Sequence, residues 1–234
     1  MVNESEVGLL HIYDPGGTGP VVSTPRRGRN VASVAADVEK IADALEIERF
    51  AVFGHRGGGP HALACAALLP ERVSAMVGVA SMAPYGGEGP DWFEGMSRAG
   101  IESLTAALAG REAKENDEAS AECDTDMFTT SDDAALSCDW KWFLDVVGPA
   151  FEGGPGALID DDRAYVAPWG FQPSDVKVPV LLPHGGANRI APLGHGEGLV
   201  RQCATAEWRT YPEEGHIPVL RLGEAALEWL SDPV

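Results

Sequence analysis

A chain of 234 residues, 44% hydrophobic and 23% charged, has the length and composition of one globular domain rather than of a disordered chain. Its formal net charge of −19 sets it against nucleic acid and anionic membranes, and no apolar run reaches the length of a membrane span. Met1 to Glu6 lacks a basic stretch leading into an apolar one, so no signal peptide is read. Cys65, Cys123, Cys138 and Cys203 show neither metal-ligand nor redox spacing, and are expected as free thiols in a reducing cytoplasm.

Leu9 to Tyr13 and Val21-Val22 read as two short strands around the turn Asp14 to Pro20. Asn30 is placed to cap a helix whose apolar face is Val31, Val34, Ala35, Val38, Ile41, Ala42 and Leu45. Phe50-Ala51-Val52-Phe53-Gly54 is a short buried strand, followed by the turn His55-Arg56-Gly57-Gly58-Gly59 and an alanine-rich helix ending before Pro70. Val73 to Ala80 is an apolar run typical of a strand covered on both faces.

Gly86 to Gly170 breaks this alternation. It carries 19 Asp and Glu against 5 Lys and Arg, and reads as a mostly helical insert with helices near 100–115 and 132–147. The excess of acid is read as a solvated surface that keeps the protein soluble. Beyond it, strands at Val178–Leu182 and Glu207–Tyr211 alternate with helices at Leu193–Cys203 and Leu220–Leu230. Strands alternating with helices predict an α/β fold with a mostly parallel sheet flanked by helices.

The turn Gly54-His55-Arg56-Gly57-Gly58 has the form of a nucleophile elbow, G-x-S-x-G, with arginine in the serine position. Two later segments accompany it: Val180-Leu181-Leu182-Pro183-His184-Gly185-Gly186-Ala187-Asn188-Arg189-Ile190-Ala191-Pro192, and Tyr211-Pro212-Glu213-Glu214-Gly215-His216. In these three places, and in their order, the chain resembles the α/β-hydrolase superfamily over nearly its whole length. The resemblance implies a core formed by residues 1–85 and 171–234 and a helical cap formed by residues 86–170. It also makes Arg56 the nucleophile position, Asn188 the acid position and His216 the catalytic histidine.

Three departures follow from the resemblance. Arginine stays protonated and has no lone pair to attack with. An amide at position 188 cannot orient the histidine as a carboxylate does. And Val22 runs straight into Ser23-Thr24-Pro25-Arg26, which looks like the loop after the family's fourth strand, so the segment carrying the oxyanion loop is absent and the sheet is trimmed near the N-terminus. Loss of the nucleophile costs about a million-fold in kcat, and exchange of the acid for its amide about ten thousand-fold, the two losses overlapping because the triad acts as a unit. Cys65 and Ser81 are weighed as substitute nucleophiles and read as structural residues instead.

The leading expectation is therefore a pseudoenzyme binding a small or anionic ligand or a protein partner. Arg56, His55, Gly57, Trp140 and Trp169 are the expected ligand contacts, because a helix N-terminus and a guanidinium both favour anions. The alternatives are a lyase, cyclase or isomerase using Arg56 and His216, or weak residual hydrolysis in which His216 activates water. No metal and no cofactor is expected, His11, His61, His184 and His195 showing no ligand spacing. Removing strands beside Phe50–Phe53 would leave an open sheet edge, to be covered by the Leu9 to Val22 hairpin or by a second copy in a homodimer.

Overall fold

The computed structural model describes residues 27–87, 91–120, 126–142, 145 and 154–231. The expected N-terminal strands, the Val22-Ser23 junction and Cys123 lie outside the described residues.

Among the described residues the sheet has four strands in the order β1 (Phe50–His55), β2 (Val73–Val79), β3 (Val180–Gly185) and β4 (Ala206–Tyr211), all parallel. Phe50 pairs with Val73 and His55 with Val79, while Val180 to Gly185 run in register with Ala206 to Tyr211. β2 and β3 sit between neighbours and are almost wholly buried, which is why both read as unbroken apolar runs. β1 has one neighbour among the described residues. Ala51 and Phe53 on it are exposed.

Helix α1 (Ser33–Ala44) opens the described fold. It starts three residues after Asn30, whose Oδ1 accepts the Ser33 N–H at 3.1 Å while Ser33 Oγ accepts the Asn30 N–H at 3.1 Å. α2 (Gly58–Leu68) follows β1 and is buried from Gly59 to Ala66. Its small residues let it lie close against the sheet, with Leu63, Ala64 and Cys65 in the main core beside Val73, Met76 and Leu182. The last helices are α7 (Leu193–Gln202), which packs in that same core through Leu199, and α8 (Gly223–Ser231). α8 covers a second cluster of Val77, Val79, Leu181, Val219 and Ala226, preceded by a 3₁₀ turn at Pro218–Leu222 where a continuous helix is expected.

Between β2 and β3 lie α3 (Arg98–Ala109), α4 (Arg111–Ser120), α5 (Thr130–Ser137) and α6 (Gly156–Val166). The single helix expected near 100–115 is split at Gly110, whose φ of 125° is open to glycine and strained for other residues. α6 carries Asp160, Asp161 and Asp162 in a row, each bound to a different cation: Arg111, Arg29 and Lys114. Asp132, Asp160 and Asp162 are buried, so the acidic insert is not simply a solvated surface. Lys114 is fully buried, with Nζ 2.6 Å from Glu118, 3.0 Å from Asp162 and 3.3 Å from Asp117, and bonded to Ser103 as well. Those partners are what a buried ammonium requires.

Candidate functional site

In a parallel sheet all strands end on the same side. That brings Arg56 after β1, Ser81 after β2, Asn188 after β3 and His216 after β4 to one edge.

The turn after β1 is a true elbow. Arg56 has φ 51°, a left-handed conformation that L residues seldom adopt, and is fixed by its N–H to Val79 O (3.0 Å) and by its carbonyl, which accepts the Gly59 N–H (3.0 Å). Glycines make the turn possible. A Cβ at Gly54 would strike the Gly58 carbonyl, one at Gly59 would strike Ser81, and one at Gly57 would strike the Tyr165 hydroxyl. The strained turn is kept although the side chain it displays cannot be a nucleophile. The Arg56 side chain is exposed and makes no hydrogen bond or ion pair with the described residues.

Asn188 is buried and its amide orientation is fixed. Oδ1 accepts the N–H groups of Ile190 (2.9 Å) and Ala191 (3.0 Å), so the NH₂ end faces His216 Nδ1 at 3.1 Å and donates to it. Nδ1 therefore carries the lone pair and Nε2 the proton. A catalytic histidine needs the opposite: a protonated Nδ1 held by a carboxylate and a basic Nε2. Asn188 thus occupies the acid's place and sets the wrong tautomer.

His216 is held uncharged. Its pKa is pushed well below 6.5, chiefly by burial, then by the neighbouring His55, Arg56 and His184. The His55 ring lies 4.5 Å from it at 38°, and His55 is lowered to about 4 by burial and by Arg56. His184 serves the loop: its Nε2 donates to the Ala191 carbonyl at 2.8 Å. Of the two substitute nucleophiles, Cys65 is buried with its thiol pushed up to about 12 by desolvation, and Ser81 Oγ is buried against Gly59 with its bond to the Met82 carbonyl at 3.3 Å. Neither is presented to a substrate.

Arg56, Asn188, His216, His55 and Gly57 are brought together as the sequence suggests. Trp169 is placed otherwise. Trp169 is 3% exposed in the main core, where Nε1 donates to the Tyr165 carbonyl (3.0 Å) and the ring packs on Phe171. Trp140 packs against Trp142, with ring centroids 5.5 Å apart. Among the described residues no group of three His, Cys, Asp or Glu side chains is arranged to hold a metal ion, and no helix is long and apolar enough to cross a membrane.

Three residues join the site that sequence reading did not single out. Tyr165 of α6 lays its hydroxyl on Gly57. Asp162, three residues earlier, feels the charge of Arg56. Asp132, at the start of α5, grips the histidine loop: Oδ1 accepts the Ile217 N–H at 2.7 Å, Oδ2 caps α5 through Thr129, and Ser131 Oγ accepts the Gly215 N–H at 3.2 Å. The backbone on both sides of His216 is thereby fastened to α5. The pattern Thr129-x-x-Asp132 is a capping box, a signal legible in the sequence, but nothing in it tells that the same carboxylate reaches residue 217.

Replacing Asp132 by alanine removes a helix cap and strands a buried N–H. A loss of about 2–4 kcal/mol in urea denaturation is expected. Amide exchange at Gly215 and Ile217 should rise before that of β3. Unchanged exchange there would show that the histidine loop holds itself.

The chain matches the α/β-hydrolase fold family over residues 10–221 and belongs to it. Among curated proteins it is 29% identical over 195 residues to the 2-hydroxy-6-oxo-6-phenylhexa-2,4-dienoate hydrolase of Comamonas testosteroni, covering 78% of this chain and 61% of that protein. A 66-residue stretch is 40% identical to RutD of Caulobacter sp. (strain K31), named for carbamate hydrolysis, covering 28% of this chain and 25% of that one. The chain thus spans less than two thirds of either relative. Among solved structures it superposes on a bromoperoxidase from Bacillus anthracis with a TM-score of 0.67 at 17% identity, covering 92% of this chain and 79% of that one. The enol-lactonase of Burkholderia xenovorans LB400 gives 0.62 at 18% identity, with coverage of 92% and 76%. At these identities the structural likeness speaks for the fold alone.

Proposed function

We propose that this protein has given up serine hydrolysis and binds a small carboxylate at Arg56. The observation that carries the reading is the pair of exchanges at positions 56 and 188, set in an elbow that is otherwise intact. A guanidinium with no ion pair among the described residues stands at the N-terminus of α2, where backbone N–H groups and the helix dipole already favour an anion. The fork of an arginine matches a planar carboxylate. The Comamonas relative is named for a dienoate, itself a carboxylate, and we carry that chemical class over to this chain.

Benzoate, a planar monocarboxylate, is a suitable probe. In ligand-observed NMR it is expected to bind the parent protein, and Arg56→Gln is expected to weaken it about tenfold or more while leaving the fold unchanged. Equal binding to both proteins would remove the anion reading.

A second reading rests on the tautomer of His216. With the proton on Nε2, the neutral imidazole is a hydrogen-bond donor that can polarise a substrate oxygen rather than a base. Beside Arg56 it would suit a lyase, cyclase or isomerase acting on an anionic substrate. Turnover of a carboxylate substrate that is lost in His216→Phe would favour this reading over simple binding.

A further inference from the structure

A cavity of about 250 Å³ lies between the segment that follows β2 and helix α7, and none of its lining residues belongs to the elbow, the acid position or the histidine position. Gly194 and Gly198, four residues apart, leave that face of α7 bare. Aromatic rings line the other side. Trp92 meets Phe93 at 5.1 Å and 88°, and Tyr85 at 5.5 Å and 83°. Its Nε1–H donates to the Ala83 carbonyl at 2.8 Å, which fixes the indole in place. His195, also in the lining, is 3% exposed. Its Nδ1 accepts the Ala83 N–H at 3.2 Å, and burial lowers its pKa to about 3 and keeps the ring uncharged. The proton therefore sits on Nε2, which has no hydrogen-bond partner among the described residues. Buried donors are nearly always partnered. One that lines a cavity is suited to an acceptor that a ligand brings.

We infer that this cavity binds a small aromatic carboxamide, its ring against Trp92 and its carbonyl oxygen on His195 Nε2. Size allows it, since a cavity of about 150 Å³ already holds benzene. Charge selects it. Asp91 and Glu94 are the exposed acids of the lining, so the mouth disfavours an anion and offers acceptors to an amide NH₂. The Nε2–H in turn disfavours a cation. Arg201 lines the cavity too, with its charge offset by Glu197 at 3.8 Å. The inference is independent of the carboxylate reading at Arg56, and the two sites divide aromatic ligands by charge.

The test is a titration of the whole ¹⁵N-labelled chain with benzamide, read at the indole N–H signal of Trp92, which Trp92→Phe identifies. Benzamide should shift that signal to saturation, and benzoate and benzamidine, an anion and a cation of the same shape, should act there about tenfold more weakly or less. His195→Asn keeps an oxygen for the Ala83 N–H but has no donor at the place of Nε2, and should weaken benzamide about fivefold. His195→Gln, whose amide nitrogen reaches that place, should stay within about threefold of the parent. Gly198→Leu tests the cavity without touching His195. A Cβ there meets Ala83 at 3.5 Å and Arg201 at 3.9 Å, both ordinary contacts, so the added side chain fills the cavity and should abolish the shift. A Trp92 signal unmoved by benzamide would overturn the inference. So would benzamide binding undiminished in His195→Asn or in Gly198→Leu, or benzoate acting at Trp92 as strongly as benzamide. Arg56→Gln should weaken benzoate and leave the benzamide shift alone, so failure at one site is told apart from failure at the other.

Discussion

Arg56→Ser combined with Asn188→Asp is expected to raise hydrolysis of p-nitrophenyl acetate at least about a hundredfold over the parent, and either exchange alone to remain within about tenfold of it. The geometry gives the reasons. An aspartate at 188 keeps the Ile190 and Ala191 N–H groups as donors to one carboxylate oxygen and turns the other from a donor site into an acceptor facing His216 Nδ1. The imidazole then moves its proton to Nδ1 and frees Nε2. A serine at 56 inherits the φ of 51° and replaces a cation that keeps His216 from taking up a proton. Serine alone meets a histidine of the wrong tautomer. Aspartate alone restores a base with nothing to activate.

Esterase activity of the parent equal to that of the double variant would sink the proposal that hydrolysis has been abandoned. A folded but silent double variant would locate the remaining loss outside these two side chains. Tyr165 on Gly57 is the first place to look, since the residue after the nucleophile supplies an oxyanion N–H in this fold. The triple variant with Tyr165→Phe separates that obstruction from losses elsewhere in the chain.

The elbow was legible because each of its residues answers to a local steric demand. Gly54 and Gly59 are needed by atoms only a few residues or one strand away, and β2 and β3 announce their burial by continuous apolar sequence. Strand order then follows from connectivity, and with it the meeting of Arg56, Asn188 and His216. What escaped the sequence is what depends on pairing at a distance. Asp132 looks like an ordinary cap until the Ile217 N–H is found on its other oxygen. Lys114 lies in the run Arg111-Glu112-Ala113-Lys114-Glu115, where nothing marks it as buried, and Asp162 is one of three adjacent acids that a sequence reading assigns to solvent. Trp169 shows the reverse case: an aromatic in the insert, expected at a ligand, is spent on the core.

Acid is expected to unfold this protein well above the pH at which its carboxylates titrate. Burial lowers His55 to about 4 and His195 to about 3, and it lowers His184 and His216 as well. An unfolded chain protonates these rings near pH 6.5. Below that pH the unfolded state binds more protons than the native one, so stability falls as pH falls and goes on falling until the native values, between about 4 and about 3, are reached. At about 1.4 kcal/mol for each pH unit and each ring, the combined loss between pH 6.5 and 4 is on the order of 5 kcal/mol or more, comparable with the whole stability of an ordinary domain. Asp162 opposes this, since burial raises its carboxyl and the native state takes up that proton first, but it is one group against four.

Urea denaturation at pH 7.5, 6 and 5 should therefore show a falling midpoint, with the slope set by the number of rings held neutral. His195→Asn is the informative variant. Its amide oxygen can accept the Ala83 N–H that Nδ1 now accepts at 3.2 Å, and it carries no titrating ring. The variant should lose less stability than the parent between pH 7.5 and 5, about 1–2 kcal/mol less, even where it is weaker at neutral pH. A parent protein equally stable at pH 7.5 and 5 would mean that the rings take up protons within the fold, and that His216 is open to water as a general base after all.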